Sequence, residues 1–167
     1  MTALPEFNSF AMLDACHQQI HLHLGELAAL ARQIETTGVD AKAREQADTV
    51  EAFFSSTSHE HHAQEEKNVF PHLLASADAA LAAKVRTLQQ DHRWIEEYWI
   101  ELAPRLRSIA AGDDQFDATQ FQQSVIAFLA LCQSHIEMEE KVIYPEAKAR
   151  LARSGQQEDA LKLRTCP

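Results

Sequence analysis

The 167-residue sequence contains few of the residues that form tight turns or covalent cross-links. Four glycines and five prolines are too few for a fold of many short strands joined by turns. The three cysteines, Cys16, Cys132 and Cys166, include no CxxC pair, so no disulfide framework is predicted. We expect reduced thiols, with Cys16 and Cys132 acting as small buried residues.

Positive charge and long apolar runs are also scarce. The 15 Lys and Arg residues are outnumbered by 25 Asp and Glu, which gives a net charge of −10. Such a surface repels the phosphates of nucleic acids and anionic membranes. No apolar run approaches the roughly 20 residues of a membrane span, and the start, MTALPEFNSF, lacks the parts of a signal peptide. We therefore expect a cytoplasmic protein that binds neither nucleic acid nor membrane.

What the sequence does contain is helix formers, with apolar residues at alternating steps of three and four. Asp40 and Asp117 are suitable N-caps, and Gly38, Gly112 and Gly155 mark helix ends. Four helices are predicted, over about 9–36, 40–74, 78–111 and 117–153, followed by a tail over 154–167. Because the joins are short, neighbouring helices should be antiparallel. The predicted fold class is all-α, a single domain over 1–167 forming an up-down-up-down four-helix bundle.

Each predicted apolar stripe is interrupted by a histidine, and two stripes carry a glutamate one turn later. The residues concerned are His17, His61 with Glu65, His92, and His135 with Glu139. A spacing of four puts His and Glu on one face of a helix. Counting from the joins places the histidines at one level: His17 and His61 each lie 21 residues from Gly38 and Asp40, respectively. The same count from the last join is 20 residues for both His92 and His135.

Carboxylates at such interior positions need positive charge, because an unpaired buried carboxylate is very costly. The nearby cations Lys67, Arg93 and Lys141 do not lie on the stripes. The pattern therefore predicts a pair of metal ions bound by the six side chains; the alternative is a hydrogen-bonded polar core. Imidazole and carboxylate suit iron, although zinc or manganese would also be accepted.

One unusual phrase occurs twice, as HHAQEEKNVFP over 61–71 and HIEMEEKVIYP over 135–145. His62 and Glu66 have the same spacing as His61 and Glu65, so on local grounds either pair could face inward. Aligning the two phrases selects His61 and Glu65, because Glu65 then matches Glu139. The remaining histidines of this region are predicted at the surface, with His62 alternatively supporting a ligand from behind: His59, His62 and His72.

With these residues the chain resembles the hemerythrin-like HHE cation-binding family over about residues 9–150. Further segments of that character are LDACHQQIHLHLGEL and LQQDHRWIEEYW. The resemblance implies a non-haem di-iron centre in which Glu65 and Glu139 bridge the two irons. It further implies that His92 and His135 bind one iron and that the other is bound by His17 and His61. An open position would take dioxygen, nitric oxide or peroxide.

The sequence departs from the dioxygen-carrying members of that family at two positions. Those members have a second histidine four residues after the helix 3 histidine and an aspartate as the second bridge, where this chain has Glu96 and Glu139. Glu96 and His21 are alternative extra ligands; otherwise Glu96 is a solvated residue. With fewer imidazoles we expect a less reversible oxygen site, which argues against a pure carrier.

The leading functional hypothesis is a di-iron protein that binds or reacts with small ligands in sensing, detoxification or iron handling. The alternative is a zinc-binding or other metal-binding storage or structural protein without redox activity. A classical enzyme is not favoured, because no added substrate pocket or partner domain is evident. Trp94 and Tyr98 fall off the apolar stripe and are either contacts of a homodimer or ordinary semi-exposed aromatics.

Overall fold

A computed structural model describes residues 8–154, which are helical almost throughout and contain no strand. The α-helices are α1 (Asn8–Thr37), α2 (Ala41–Phe53), α3 (His59–Asn68), α4 (Phe70–Leu74), α5 (Ala79–Ala110), α6 (Ala118–Met138) and α7 (Tyr144–Ser154). Two π-helical segments, Phe54–Ser58 and Glu139–Ile143, join α2 to α3 and α6 to α7. The all-α prediction is confirmed for this range, whereas residues 155–167 of the predicted tail lie outside it.

These elements make four helical rods, numbered here along the chain. Rod 1 is α1, rod 2 is α2 to α4, rod 3 is α5, and rod 4 is α6 with α7. Rods 1 and 3 each pack against rods 2 and 4, so the four rods surround a common interior. Within residues 8–154, no helix combines the length and hydropathy that crossing a membrane would require.

Side-chain caps and glycines fix where the rods begin and end. Asp40, Asp78 and Asp117 precede α2, α5 and α6, and each side chain accepts the backbone N–H three residues on. Gly38 and Gly112 follow α1 and α5 with φ of 79° and 89°, a conformation that is costly for residues with a Cβ. The joins between rods are therefore encoded locally.

The apolar interior consists of two clusters with a polar layer between them. In α1, Leu13 belongs to the smaller cluster and Ile20 to the larger one. His17 lies between these two residues and is buried, and His92 is placed in the same way in α5. The packing of all four rods thus holds one polar level between two apolar ones.

Two of the three cysteines lie in the described part of the chain, and both are buried. Cys132 is a free thiol whose pKa is raised by burial to about 12, so it is a small uncharged core residue as predicted. Cys16 is also buried. Cys166 lies outside the described residues.

Trp94 and Tyr98 are exposed on α5, so a second copy of the chain could contact them. A homodimer through these residues stays a prediction.

Replacing the cap Asp117 with alanine should lower the free energy of unfolding by about 1 kcal/mol, because the N–H of Gln120 loses its acceptor. Asp48→Ala, an exposed substitution inside α2, is the control and should change it by less than about 0.5 kcal/mol. Urea unfolding of both variants at equal metal content measures the difference. Equal effects of the two substitutions would contradict the capping role.

Candidate metal centre

The structure brings all six predicted ligand residues into the polar layer, and His61, the most exposed of them, is only 4% exposed. Their donor atoms form two groups, and within each group the atoms lie within 4.8 Å of one another. The first group is His17, His61, Glu65 and Glu139. The second is Glu65, His92, His135 and Glu139. The two glutamates thus belong to both groups, whereas each histidine of this set belongs to one.

Distances between donor atoms within the layer match those between ligands of a single ion. Nε2 of His135 lies 3.1 Å from Nε2 of His92 and 3.0 Å from Oε1 of Glu139. Nε2 of His17 lies 3.2 Å from Oε2 of Glu139. Two atoms that bind one ion at about 2.1 Å and at right angles are separated by about 3 Å. The side chains are therefore arranged as a coordination shell needs them.

Several buried polar atoms of the layer make no well-aligned hydrogen bond among the described residues, even where an imidazole nitrogen lies 3.0–3.2 Å away, as at Glu139. They are Oε2 of Glu65, both carboxylate oxygens of Glu139, Nε2 of His61, and Nδ1 of His62 and His135. Buried polar groups in folded proteins are nearly always hydrogen-bonded, and no Lys or Arg is among the buried residues whose side chains the structure describes. Cations bound by the carboxylate oxygens and by Nε2 of His61 would supply missing partners, so the residues fit a metal site. Nδ1 of His135 instead faces Asp91, 3.7 Å away.

The electrostatics of the layer point to the same need for positive charge. Burial lowers the pKa of His92 and of His135, but neighbouring carboxylates outweigh it and raise these pKa values to about 10 and about 9. Burial also acts to raise the pKa of Glu139, but His135 and the other imidazoles hold it well below the usual value. A bound proton and a bound metal ion are competing sources of this charge.

A π-helical turn places Glu139 and Tyr144 on the same side of rod 4. The N–H of Tyr144 bonds to the carbonyl of Glu139, five residues earlier. In an α-helix, residues five apart are rotated by about 140° from each other, whereas the wider π turn brings them nearly into line. Both side chains are therefore buried in the interior.

The two copies of the Glu-Glu-Lys phrase make matching contacts with the neighbouring rods. Oε1 of Glu66, in rod 2, lies 2.8 Å from Nδ1 of His92 in rod 3. Oε1 of Glu140, in rod 4, lies 3.2 Å from Nδ1 of His17 in rod 1. A carboxylate at Nδ1 fixes the tautomer and directs Nε2 toward a metal. The second glutamate of each phrase thus orients the histidine of the next rod.

The aromatic residue of each phrase packs on that same histidine. Phe70 stacks on His92 with ring centres 5.5 Å apart, and Tyr144 stacks on His17 at 5.1 Å. The hydroxyl of Tyr144 also donates to Glu65 and lies 3.2 Å from Nε2 of His17. Burial and the charge of Glu65 raise the pKa of Tyr144 well above its usual value, so the hydroxyl keeps its proton. Phe70 offers no such group, and the two halves of the site are unequal here.

The prediction that His62 lies at the surface is wrong. His62 is 6% exposed, and its ring stacks on His92 with centres 4.1 Å apart. Burial and the imidazoles of His92 and His135 lower its pKa well below the usual value. His62 precedes Glu65 by three residues, so it lies within one turn of that buried carboxylate. The alignment of the two phrases selects one of two adjacent histidines, whereas His61 and His62 are both buried in the interior.

The two alternative ligands considered from the sequence lie outside the layer. The side chain of Glu96 is 47% exposed and bonds to Nδ1 of His59 at 2.9 Å. The side chain of His21 is 51% exposed and lies 3.4 Å from Glu140. Neither residue belongs to a metal-capable group in the part of the chain that the structure describes. Glu96 is the solvated residue of the alternative interpretation.

A cavity of about 280 Å³, which we call the outer cavity, adjoins the layer between rods 2 and 3. A smaller inner cavity touches histidines of both ligand groups. The two cavities share four lining residues, Phe54, Ser58, His62 and Ile95. These four side chains are therefore the wall between the outer cavity and the ligand layer. Among the buried apolar residues, Ile20 also lines the inner cavity, and Phe128 lines the outer one.

Comparison with known proteins agrees with this geometry. Residues 8–147 match the family described as the Hemerythrin HHE cation binding domain. An uncharacterized protein of Haemophilus influenzae is 24% identical over 104 residues, which cover 62% of this chain. The match spans about 60% of that relative's length. No solved structure is significantly similar to this chain.

Tyr144→Phe should lower the free energy of unfolding of metal-depleted protein by about 1–3 kcal/mol, because the buried carboxylate of Glu65 loses a donor. Tyr98→Phe removes an exposed hydroxyl from rod 3 and should change it by less than about 0.5 kcal/mol. Urea unfolding after chelation compares the two variants. The role of the hydroxyl is refuted if Tyr144→Phe is no more destabilising than Tyr98→Phe.

Proposed function

This chain belongs to the hemerythrin HHE cation-binding family, and from that premise we propose that its polar layer holds two non-haem iron ions. We propose further that these ions bind or react with small ligands such as dioxygen, nitric oxide or peroxide, in sensing, detoxification or iron handling. The observation that carries the proposal is the sharing of Glu65 and Glu139 between two otherwise separate groups of donors. Two carboxylates common to two sites suit a pair of ions rather than one.

The division of the histidines supports an assignment of ligands to each ion. His92 and His135 would hold one iron, and His17 and His61 the other, with Glu65 and Glu139 bridging. Bound iron would supply reversible electron transfer and a binding position for small molecules. The chain's own contribution is to present these donors already gathered, in an interior that excludes bulk water.

The residues around the ligands have defined tasks in this proposal. Glu66 and Glu140 keep a proton on Nδ1 of His92 and His17, so that each Nε2 is available to a metal. The hydroxyl of Tyr144 donates a hydrogen bond to Oε1 of Glu65. The other oxygen of that carboxylate, Oε2, has no hydrogen bond and is available to a metal ion.

We also propose that the four rods run up and down alternately as one antiparallel bundle and one domain. Contacts between rods 2 and 3 support this direction. Arg44 bonds to the carbonyl of Ala110 at 3.2 Å, and Ser55 accepts from Trp99 at 3.0 Å. Residues later in rod 2 thus contact residues earlier in rod 3, as expected for antiparallel helices.

Access to the layer favours small ligands. The wall between the outer cavity and the layer is formed by two apolar side chains, Phe54 and Ile95, together with Ser58 and His62. Small motions of Phe54, Ser58 and Ile95 would admit a diatomic molecule or peroxide, whereas a bulky organic substrate would need the rods to separate.

A second candidate function is a zinc protein without redox activity. Each of the two ligand groups offers four donor residues, which is the coordination number that zinc usually takes in proteins. Metal analysis of protein produced with both iron and zinc available distinguishes this candidate from the first.

Wild-type protein should contain about two metal ions per chain, predominantly iron, because imidazole and carboxylate donors suit iron. Glu139→Gln should lose both ions together, because both groups share this carboxylate. The matched control is Glu137→Gln, two residues away, where an exposed glutamate pairs with Lys141; it should keep the full content. Elemental analysis per folded chain is the measurement. Full occupancy in Glu139→Gln, or folded wild-type protein that takes up neither metal, would contradict the proposal.

Ser58→Leu should slow the association of nitric oxide with the iron-loaded protein by about tenfold, which corresponds to about 1.4 kcal/mol of added barrier. Ser58 is buried between the two cavities, and the larger leucine side chain would occupy the space through which a ligand passes. Ser56→Leu, an exposed position in the same π-helical segment, is the control. Stopped-flow rates at matched iron content compare them; identical rates would show that ligands enter elsewhere.

A further inference from the structure

We infer that His62 is a fifth imidazole ligand, which binds the same metal ion as His92 and His135 and makes the two metal positions unequal. This inference rests on the proposed function, because it assigns one more residue to the same layer. His62 is not one of the six ligands that the sequence pattern predicts.

The ring of His62 lies beside the two histidines that would hold that ion. It stacks on His92 at 4.1 Å with the rings 15° from parallel, and its centre is 5.6 Å from that of His135. Because stacked rings do not share a plane, the His62 side chain would rotate to direct a ring nitrogen at the same ion. One ring nitrogen from each of these three residues comes within 4.8 Å of the others. All three side chains are buried.

Hydrogen bonding within the described residues does not account for this burial. Nδ1 of His62 is inaccessible and has no partner among residues 8–154. A buried ring nitrogen without a partner costs about 1–3 kcal/mol. A histidine retained only for packing would be expected to bond to a carboxylate or a backbone carbonyl, as Nδ1 of His92 does with Glu66.

The position of His62 in rod 2 explains how it reaches a different ion from its neighbour. His61 and His62 precede Glu65 by four and three residues, so both lie one turn from the shared carboxylate. Consecutive helical residues point about 100° apart. His61 accordingly meets His17, at 4.8 Å between ring centres, whereas His62 meets His92.

The duplicated phrase breaks at this position. In rod 4 the residue three before Glu139 is Ile136, a buried aliphatic residue that lines the inner cavity. One end of the layer therefore has an extra imidazole where the other end has an apolar side chain. An ion held by His17 and His61 would have fewer protein donors, so a small ligand would find its open position there.

Metal titration of the full chain tests the inference with a readout other than activity. His62→Ala should lower the affinity of one of two sites for Co²⁺ by at least about 100-fold, the upper end of what losing an orienting partner costs. The other site should be unchanged. His59→Ala, three residues earlier and with a 66% exposed side chain, is the control and should titrate like wild type. Added imidazole should restore the weakened site in His62→Gly.

Each result has a distinct meaning. Two unchanged sites in folded His62→Ala, or equal weakening of both, would overturn the inference while the proposed function stands. Wild-type protein that binds no metal would overturn both. Circular dichroism of each variant verifies folding before titration.

A measurement on the unaltered chain avoids any dependence on variants. In Co²⁺-loaded wild-type protein, the N–H protons of metal-bound imidazoles give strongly shifted proton NMR signals. Five such signals are expected if His62 binds, and four would refute its assignment.

Discussion

The structure depends on two carboxylates, Glu65 and Glu139, that are wholly buried in the middle of an otherwise apolar bundle. Neither could remain there ionised without positive charge close by, since the cost of an isolated buried carboxylate exceeds the stability of a typical domain. The imidazoles that surround them come from all four rods. The close spacing of these imidazoles, the polar atoms without hydrogen bonds and the lowered pKa of Glu139 all follow from burying two carboxylates together. Metal ions bound in this layer would supply the positive charge that its two carboxylates need.

The repeated phrase describes how the bundle meets this requirement twice. In each copy, one histidine and one glutamate enter the layer, while the next glutamate and the aromatic residue hold the histidine of a neighbouring rod. Glu66 and Phe70 act in this way on His92, and Glu140 and Tyr144 on His17. The repetition is therefore one of contacts as well as letters. Two of the differences between the copies lie against the ligands, where His62 corresponds to Ile136 and Phe70 to Tyr144, and these give the layer its two unlike ends.

Much of the fold follows from local patterns in the sequence, because they report local physics. Apolar spacing indicates helices, and aspartates such as Asp40 and Asp117 do cap them. Counting from the joins brought four histidines to one level, since helical rise is constant. Features that depend on tertiary context were not accessible in this way. The π turn after Glu139, the inward position of His62 and the bond from Tyr144 to Glu65 depend on packing between rods.

The polar layer also cuts the apolar interior in two. Hydrophobic contact alone does not join the clusters across that level, so cooperation between the halves of the bundle passes through the side chains that would hold the ions. Metal occupancy should therefore also affect how the bundle unfolds. With ions bound, the two halves should unfold as one cooperative unit; without them, they should unfold partly independently, because a ligand stabilises the state that binds it. Metal supply would then act directly on the lifetime of the folded chain.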